Sequence, residues 1–288
     1  MRNKDFCAFI LTHGRAGRVD TFKTLRKQGY TGDILLVVDD EDKDYLRYCE
    51  EFGARNVCLF SKSEIVKRFD EGDNFGDRRA IVYARNATFD IAKERGYTYF
   101  IELDDDYTSF TFRLDGERKV KENKIKNLDA VLDLMLDYYK SCPQMLTLAM
   151  AQGGDWIGGG RGAFGKDIHL HRKAMNSFIC STERRFWFVG RVNEDVNTYT
   201  LEGIRGKLFA TIPQICLHQR TTQGNKGGMT EMYLDSGTYV KSFYSVMYAP
   251  SSVKVQLMTT SHARLHHKVD WSLTAPKIVS EKTAVGEL

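Results

Sequence analysis

The 288-residue chain predicts an α/β fold built on a mainly parallel sheet with helices on both faces. Three observations carry this. Apolar runs are short and continuous rather than alternating, stretches of helical period separate them, and small-residue or acidic turns close them. Continuous apolar strands belong to sheets covered on both sides.

The elements follow in order. FCAFILT at 6–12 is a strand closed by His13-Gly14-Arg15-Ala16-Gly17-Arg18, and a helical pattern runs from Val19 to Gly29. DILLVV at 33–38 is a second strand, ending in Asp39-Asp40-Glu41-Asp42 before a helical stretch to Phe52. A third short strand fits Asn56 to Phe60. From Asp77 to Gly96 the apolar positions Ile81, Ala84, Ala87, Thr88, Ile91 and Ala92 fall on one stripe, with Gly96 as the C-terminal stop. Then TYFIELDDD runs an apolar strand into Asp104, Asp105 and Asp106. Residues 128–139 form another amphipathic helix, LTLAMA at 146–151 a strand, and 207–212 and 253–259 further strands. Gly153 to Gly160 reads as a loop, and the C-terminal region is less regular.

Composition sets the bounds. Hydrophobic residues at 42% and charged residues at 28% are those of a globular protein, not of a disordered tail. No apolar run reaches the ~20 residues of a membrane span, and Met-Arg-Asn-Lys-Asp opens no signal peptide, so the expected location is cytoplasmic. The six cysteines form no CxxC pair that would suggest zinc or a redox centre. Without internal repeat or low-complexity linker, one domain over 1–288 is expected, with a ligand-binding half at 1–110 and a second half at 111–288. Residues 1–150 carry 25 Lys and Arg against 27 Asp and Glu, whereas 151–288 carry 17 against 11, an excess suited to a polyanion.

The aspartate triplet is the most informative feature. Three adjacent carboxylates at the end of a buried strand suit a divalent cation such as Mg²⁺ or Mn²⁺, which commonly bridges to the phosphates of a nucleotide. A solvated acidic turn is the alternative. In open α/β sheets ligands lie beyond the carboxyl ends of the strands, so the turn at 12–18, the acids at 39–42 and those at 104–106 converge on one crevice.

YARNATFDIAKERGYTYFIELDDD at 83–106 resembles the run of ARN, helix, strand and DxD of nucleotide-sugar glycosyltransferases with the GT-A fold. The resemblance implies that Asp104 and Asp106 frame the metal and that Asp105 contacts the ribose or supports the loop. It also implies that Thr12, Gly14 and Arg15 lie by the base and diphosphate, that Asp39 bonds the base or ribose, and that Arg85 sits near the diphosphate or braces the acidic loop. A surface salt bridge is the plain alternative for Arg15 and Arg85.

GRVNEDV at 190–196 resembles the family's late acidic pair, which implies Glu194 or Asp195 as the base that takes the acceptor's proton; a helix N-cap is the competing reading. His218, about 23 residues on, matches the histidine that completes the cation's shell in many metal-dependent members, and His262, His266 and His267 compete with it. The Gly-rich segment from Gln219 to Gly228, with Arg220 and Lys226, suits a lid that excludes water. Glu183 to Phe188 and Arg161 to Lys173 mix cations with aromatics as acceptor contacts do, although Phe186 and Phe188 also fit a core.

Over nearly its full length the chain is similar to the TET-associated glycosyltransferases, GT-A-type enzymes found especially in bacteriophages and related to the base J glucosyltransferase. ILTHGRAGRVDT, the ARN-to-DDD run, NEDV and HQRTTQGNKGG carry this. It implies a UDP-sugar donor, UDP-glucose above all, Mn²⁺ or Mg²⁺, and an acceptor hydroxymethyl on a 5-hydroxymethylated pyrimidine in DNA. The 111–288 half would then bind acceptor. Rival readings are a protein or glycan acceptor, a sugar-1-phosphate nucleotidyltransferase, and an inactive DNA-binding module.

Overall fold

The computed structural model describes residues 1–114, 120–152, 168, 174, 176–219, 240–259 and 263–274. Four strands of the N-terminal half, β1 (Phe6–Leu11), β2 (Asp33–Asp39), β3 (Val57–Phe60) and β4 (Tyr99–Asp104), lie parallel in the order β3-β2-β1-β4. Between them run helices α1 (Asp20–Lys27), α2 (Tyr45–Phe52), the single turn α3 (Lys62–Ile65) and α4 (Val82–Glu94).

The remaining elements are β5 (Tyr107–Leu114), β6 (Val120–Lys124), α5 (Leu128–Ser141), β7 (Met145–Gln152), β8 (Ser177–Ser181), α6 (Glu194–Ile204) and β9 (Leu208–Gln219). They extend the sheet to nine strands in the order β3-β2-β1-β4-β8-β7-β9-β5-β6. Parallel pairing is concentrated in the first four strands and recurs at β7/β9; β4/β8, β7/β8, β5/β9 and β5/β6 are antiparallel. The sheet is therefore mixed, its parallel character belonging chiefly to the half that carries the acidic turns. A helix over residues 240–248, α7, precedes a separate two-stranded ribbon, β10 (Val253–Thr259) and β11 (Ala263–Val269), and the turn α8 (Trp271–Thr274).

β1 shows why the apolar runs are unbroken. All six of its residues are buried; Phe6, Ala8 and Ile10 join the core under α1, α2 and α5, whereas Cys7, Phe9 and Leu11 join the core under α4 and α6. A strand with helices on both faces has no polar side.

Helix α4 is shorter than the Asp77–Gly96 stretch. Asp77 accepts bonds from the Arg79 backbone at 3.1 Å and the Arg79 side chain at 3.0 Å, a local turn that competes with helix and delays it to Val82. At the other end Gly96 takes φ +81°, which a residue with a Cβ resists, and stops the helix as expected. All six cysteines are free thiols. Among the described residues no helix is long and apolar enough to cross a membrane.

The N-terminal residues are tied to α5. Buried Asp133 accepts from Arg2 N at 2.8 Å, Asn3 N at 3.1 Å and Asn3 Nδ2 at 2.6 Å. Burial raises its pKa, yet these bonds outweigh burial and leave it below the usual carboxylate range. A folded pKa below the unfolded one contributes stability that is present above pH ~4 and lost as pH falls through the lowered value. Asp133→Ala is expected to cost about 2 kcal/mol, hence about 4–8 °C in Tm at pH 7 for a domain of this size. Calorimetry from pH 7 downwards checks this, because the gap between variant and wild type should narrow as pH falls through the lowered value.

Candidate active site

Parallel packing brings the sequence-distant turns together. Leu11 at the end of β1 is in register with Asp104 at the end of β4, and β2 flanks β1 on its other side with Asp39 as its last residue. Thr12 to Arg15, Asp39 and the aspartate triplet therefore share one edge of the sheet. The triplet's backbone is clamped by α1: Thr21 N donates to Asp105 O at 3.1 Å, and Thr21 Oγ1 donates to Asp104 O at 2.6 Å. Tyr107 N donates in turn to Thr21 Oγ1 at 2.9 Å.

Side chains in the triplet divide into two kinds. Asp105 is 3% exposed and accepts from Thr12 Oγ1 at 2.7 Å and Arg15 Nη1 at 2.5 Å, so it fastens the β1 turn to the acidic turn. The Tyr48 hydroxyl supports the same junction, accepting from Arg15 N at 2.7 Å and lying 3.2 Å from Thr12 Oγ1. Gly14, at φ +63°, donates its N–H to Asp42 Oδ2 at 2.8 Å. Asp39 is buried between Lys62 Nζ at 3.0 Å and His13 Nδ1 at 2.7 Å; burial raises its pKa, but these two partners outweigh burial and hold it low. His13 and Lys62 were not singled out in the sequence, and only the contact reveals them.

Arg85 is the hub of the site. It is 1% exposed, and its guanidinium meets Glu194 Oε1 at 3.2 Å, Glu102 Oε2 at 3.4 Å and Asp104 Oδ1 at 3.5 Å, while lying 4.7 Å from the Phe178 ring centroid. Burial works against its charge, but the carboxylates outweigh burial and hold the guanidinium protonated beyond its ordinary range. Arg85 thus links the acidic turn to the first turn of α6, where Glu194 and Asp195 lie. Glu102, fully buried within β4 and also held by Thr88 Oγ1 at 2.6 Å, is a member that sequence reading passed over; a glutamate inside the apolar run YFIELD was the available signal.

One guanidinium does not balance three carboxylates. Burial first, with repulsion from neighbouring acids, pushes Asp104 up to about 7 and Asp106 above its ordinary value; burial likewise takes Glu102 to about 7 and Glu194 upward. Buried Asp104 Oδ1, 3.5 Å from the Arg85 guanidinium, accepts no hydrogen bond among the described residues. A buried edge with surplus negative charge and an undonated carboxylate oxygen fits a hard divalent cation. Asp104 and Asp106 would hold it. Among the described residues no group of three His, Cys, Asp or Glu is gathered closely enough to bind a metal unaided, so oxygens of substrate or water would complete the shell.

His218 lies on the antiparallel side of the sheet. In β9 opposite Ser109, its Nε2 lies 2.6 Å from Glu122 Oε1 of β6 and 3.0 Å from Thr111 Oγ1, and burial first lowers its pKa. The structure does not gather it with Asp104 and Asp106. His267 is buried against Asn193, its Nδ1 at 3.4 Å from Asn193 Nδ2, and His266 packs on it. His262, Gly153 to Gly160, the 161–167 and 169–173 stretches and 220–228 lie outside the described residues. The Glu183–Phe188 segment starts at the opposite edge of the sheet, since β8 runs antiparallel to β4 with Ser181 opposite Tyr99. There Arg184 Nη1 donates to the carbonyls of Tyr139, Cys142 and Met145 at 3.0–3.2 Å, and Phe186 and Phe188 are core.

A mixed α/β sheet with a clamped acidic triplet at the carboxyl edge of its parallel half has the GT-A layout of a glycosyltransferase. The profile of the TET-Associated Glycosyltransferase family matches residues 6–228, and the chain belongs to that family. No curated protein matches the chain. It is similar to glucosyl-3-phosphoglycerate synthase from Mycobacterium tuberculosis in complex with Mg²⁺ and UDP, at 9% identity and TM-score 0.45, over 92% of this chain and 87% of that one. The mannosyltransferase PcManGT from Pyrobaculum calidifontis, in complex with GDP-Man and Mn²⁺, gives 12%, 0.47, 85% and 73%. S. aureus TarS 1-349 in complex with UDP gives 12%, 0.46, 73% and 59%. At this distance the likenesses carry no argument about donor or acceptor.

Proposed function

We propose that the chain transfers a hexose, glucose first among candidates, from a UDP-sugar to the hydroxymethyl group of a 5-hydroxymethylated pyrimidine in DNA, with Mn²⁺ or Mg²⁺ bound at Asp104 and Asp106. The observation that carries this reading is Arg85, which spans from Asp104 at 3.5 Å to Glu194 at 3.2 Å and so couples the donor end of the site to the acceptor end. When bound, the cation offsets charge on the departing diphosphate. Thr12, Gly14, Arg15 and Asp39 line the donor side, with Asp105 holding Arg15 in place. The 1–110 half supplies these groups, and the 111–288 half supplies the acceptor side.

The late acidic pair divides its labour. Glu194 is held by Arg85, with its side chain 12% exposed, whereas Asp195 is partly exposed and gives one oxygen to Val196 N at 2.8 Å. Asp195 is the carboxylate left to accept the proton of the hydroxymethyl as its oxygen attacks. Asn193 takes the N-cap position at φ +55° with no side-chain cap, and Asp195, in the first turn, satisfies the free N–H of Val196 with one oxygen. Asp195→Asn is expected to lower kcat by about 10²–10⁴ with donor affinity unchanged.

Purified protein, labelled UDP-glucose and Mn²⁺, offered either duplex DNA bearing 5-hydroxymethylcytosine or a peptide pool, tests the acceptor; label confined to peptide overturns the DNA assignment. Calorimetry of UDP with and without Mn²⁺ tests the donor. Binding that the metal leaves unchanged overturns the metal assignment.

A further inference from the structure

The β10–β11 ribbon is paired apart from the large sheet. Its register sets Lys254 directly opposite Lys268 and Gln256 opposite His266, and alternate positions of a strand share a face. Both lysines and Gln256 are exposed. Like charges opposite one another across a ribbon disfavour its pairing, so this ladder places cations together at a cost to the hairpin. Asp270 is near enough for both lysine charges to act on it and offsets them with a single negative charge, while its Oδ1 accepts from Ser272 N at 3.1 Å and from Ser272 Oγ at 2.6 Å.

The ribbon's other face is anchored beside the late acidic pair. His267 is buried with Nδ1 at 3.4 Å from Asn193 Nδ2, and Asn193 immediately precedes Glu194 and Asp195. Asp270 N donates to Ser252 O at 2.7 Å, closing the open end. Trp271 then stacks on Tyr199 of α6, ring centroids 5.4 Å apart and 24° from parallel. Ribbon and α6 therefore form one unit, cations on the exposed side and Asp195 a few residues from the anchoring contact.

We propose that the Lys254–Lys268 face of the ribbon is a surface that receives duplex DNA, lying in or along its major groove beside α6. The proposal rests on the DNA-acceptor reading above. A two-stranded ribbon is one of the two elements the major groove admits, and a substituent on pyrimidine C5 projects into that groove. Lysines supply phosphate contacts and hence affinity rather than sequence choice.

The test is a titration of a fluorescein-labelled 20-base-pair duplex carrying one 5-hydroxymethylcytosine with the full chain, from 50 to 200 mM salt. Lys254→Glu with Lys268→Glu is expected to weaken binding at least tenfold and to lower the slope of log affinity against log salt by about 2, one phosphate contact per lysine. Calorimetric UDP binding should stay as in the wild type. A single Lys254→Glu replaces a like-charge pair by an opposite-charge pair, so it should hold or raise Tm while still weakening DNA; a purely structural role for the lysine predicts the reverse order. Wild-type duplex binding that the double variant reproduces, slope included, overturns the ribbon assignment alone. Absence of wild-type binding and glycosylation of any DNA overturns the acceptor reading as well.

Discussion

Asp104→Asn and Asp106→Asn are each expected to abolish sugar transfer, with a loss of at least about 10³-fold, and to erase the enhancement of UDP binding by Mn²⁺, because each removes one of the two carboxylates proposed to hold the cation. What separates this from general damage is the sign of the stability effect. Burial and the neighbouring acids push Asp104 up to about 7. A carboxylate raised in the folded state costs stability as pH rises from ~4, where the unfolded chain ionises it, to the folded value. Without metal, Asp104→Asn should therefore match or exceed the wild type in Tm at pH 8. With Mn²⁺ and UDP the order should invert, since ligands stabilise only the form that binds them. Thermal melts at pH 8, with and without Mn²⁺ and UDP, decide it. A variant whose Tm still climbs with Mn²⁺ and UDP as the wild type's does would remove Asp104 from the metal site.

The two halves of the sheet were not equally legible. β1, β2 and β4 announce themselves because helices cover both faces, so almost every side chain is buried and the apolar run is unbroken. β5, with TSFTFRL, and the polar edge strand β6, with VKENK, offer no such run, and neither does the five-residue β8. Their pairing partners, moreover, are remote: Tyr107 pairs with Gln219 and Tyr99 with Ser181. In the site, convergence of the turns followed from strand polarity alone. Which group meets which did not. Asp39 finds Lys62 and His218 finds Glu122 through tertiary packing that no local spacing encodes. Phe186 and Phe188 alternate as strand residues do, yet they belong to irregular chain and fill the core beneath α4.

Arg85→Met is expected to be the most destabilising single change. In the sequence Arg85 was compatible with an exposed ion pair; in the structure its partners lie 17, 19 and 109 residues away, and it is 1% exposed. Methionine fills comparable volume, so the cavity term is small. What remains is buried Glu102 and Glu194 and half-buried Asp104, all without their cation. Removing one partner of a buried ion pair costs about 3–5 kcal/mol, against a total stability of about 5–15 kcal/mol, or about 10 °C in Tm for a chain of this length. The companion variant Arg85→Lys keeps the charge, but an ammonium cannot span three carboxylates as the planar guanidinium fork does. That protein should fold with a smaller loss of Tm, yet both Mn²⁺-dependent UDP binding and kcat should fall, because the same side chain positions Asp104 and the α6 acids. Loss of one without the other would separate the two ends of the site, and an Arg85→Met protein melting with the wild type would show that the buried charges are balanced by something other than this guanidinium.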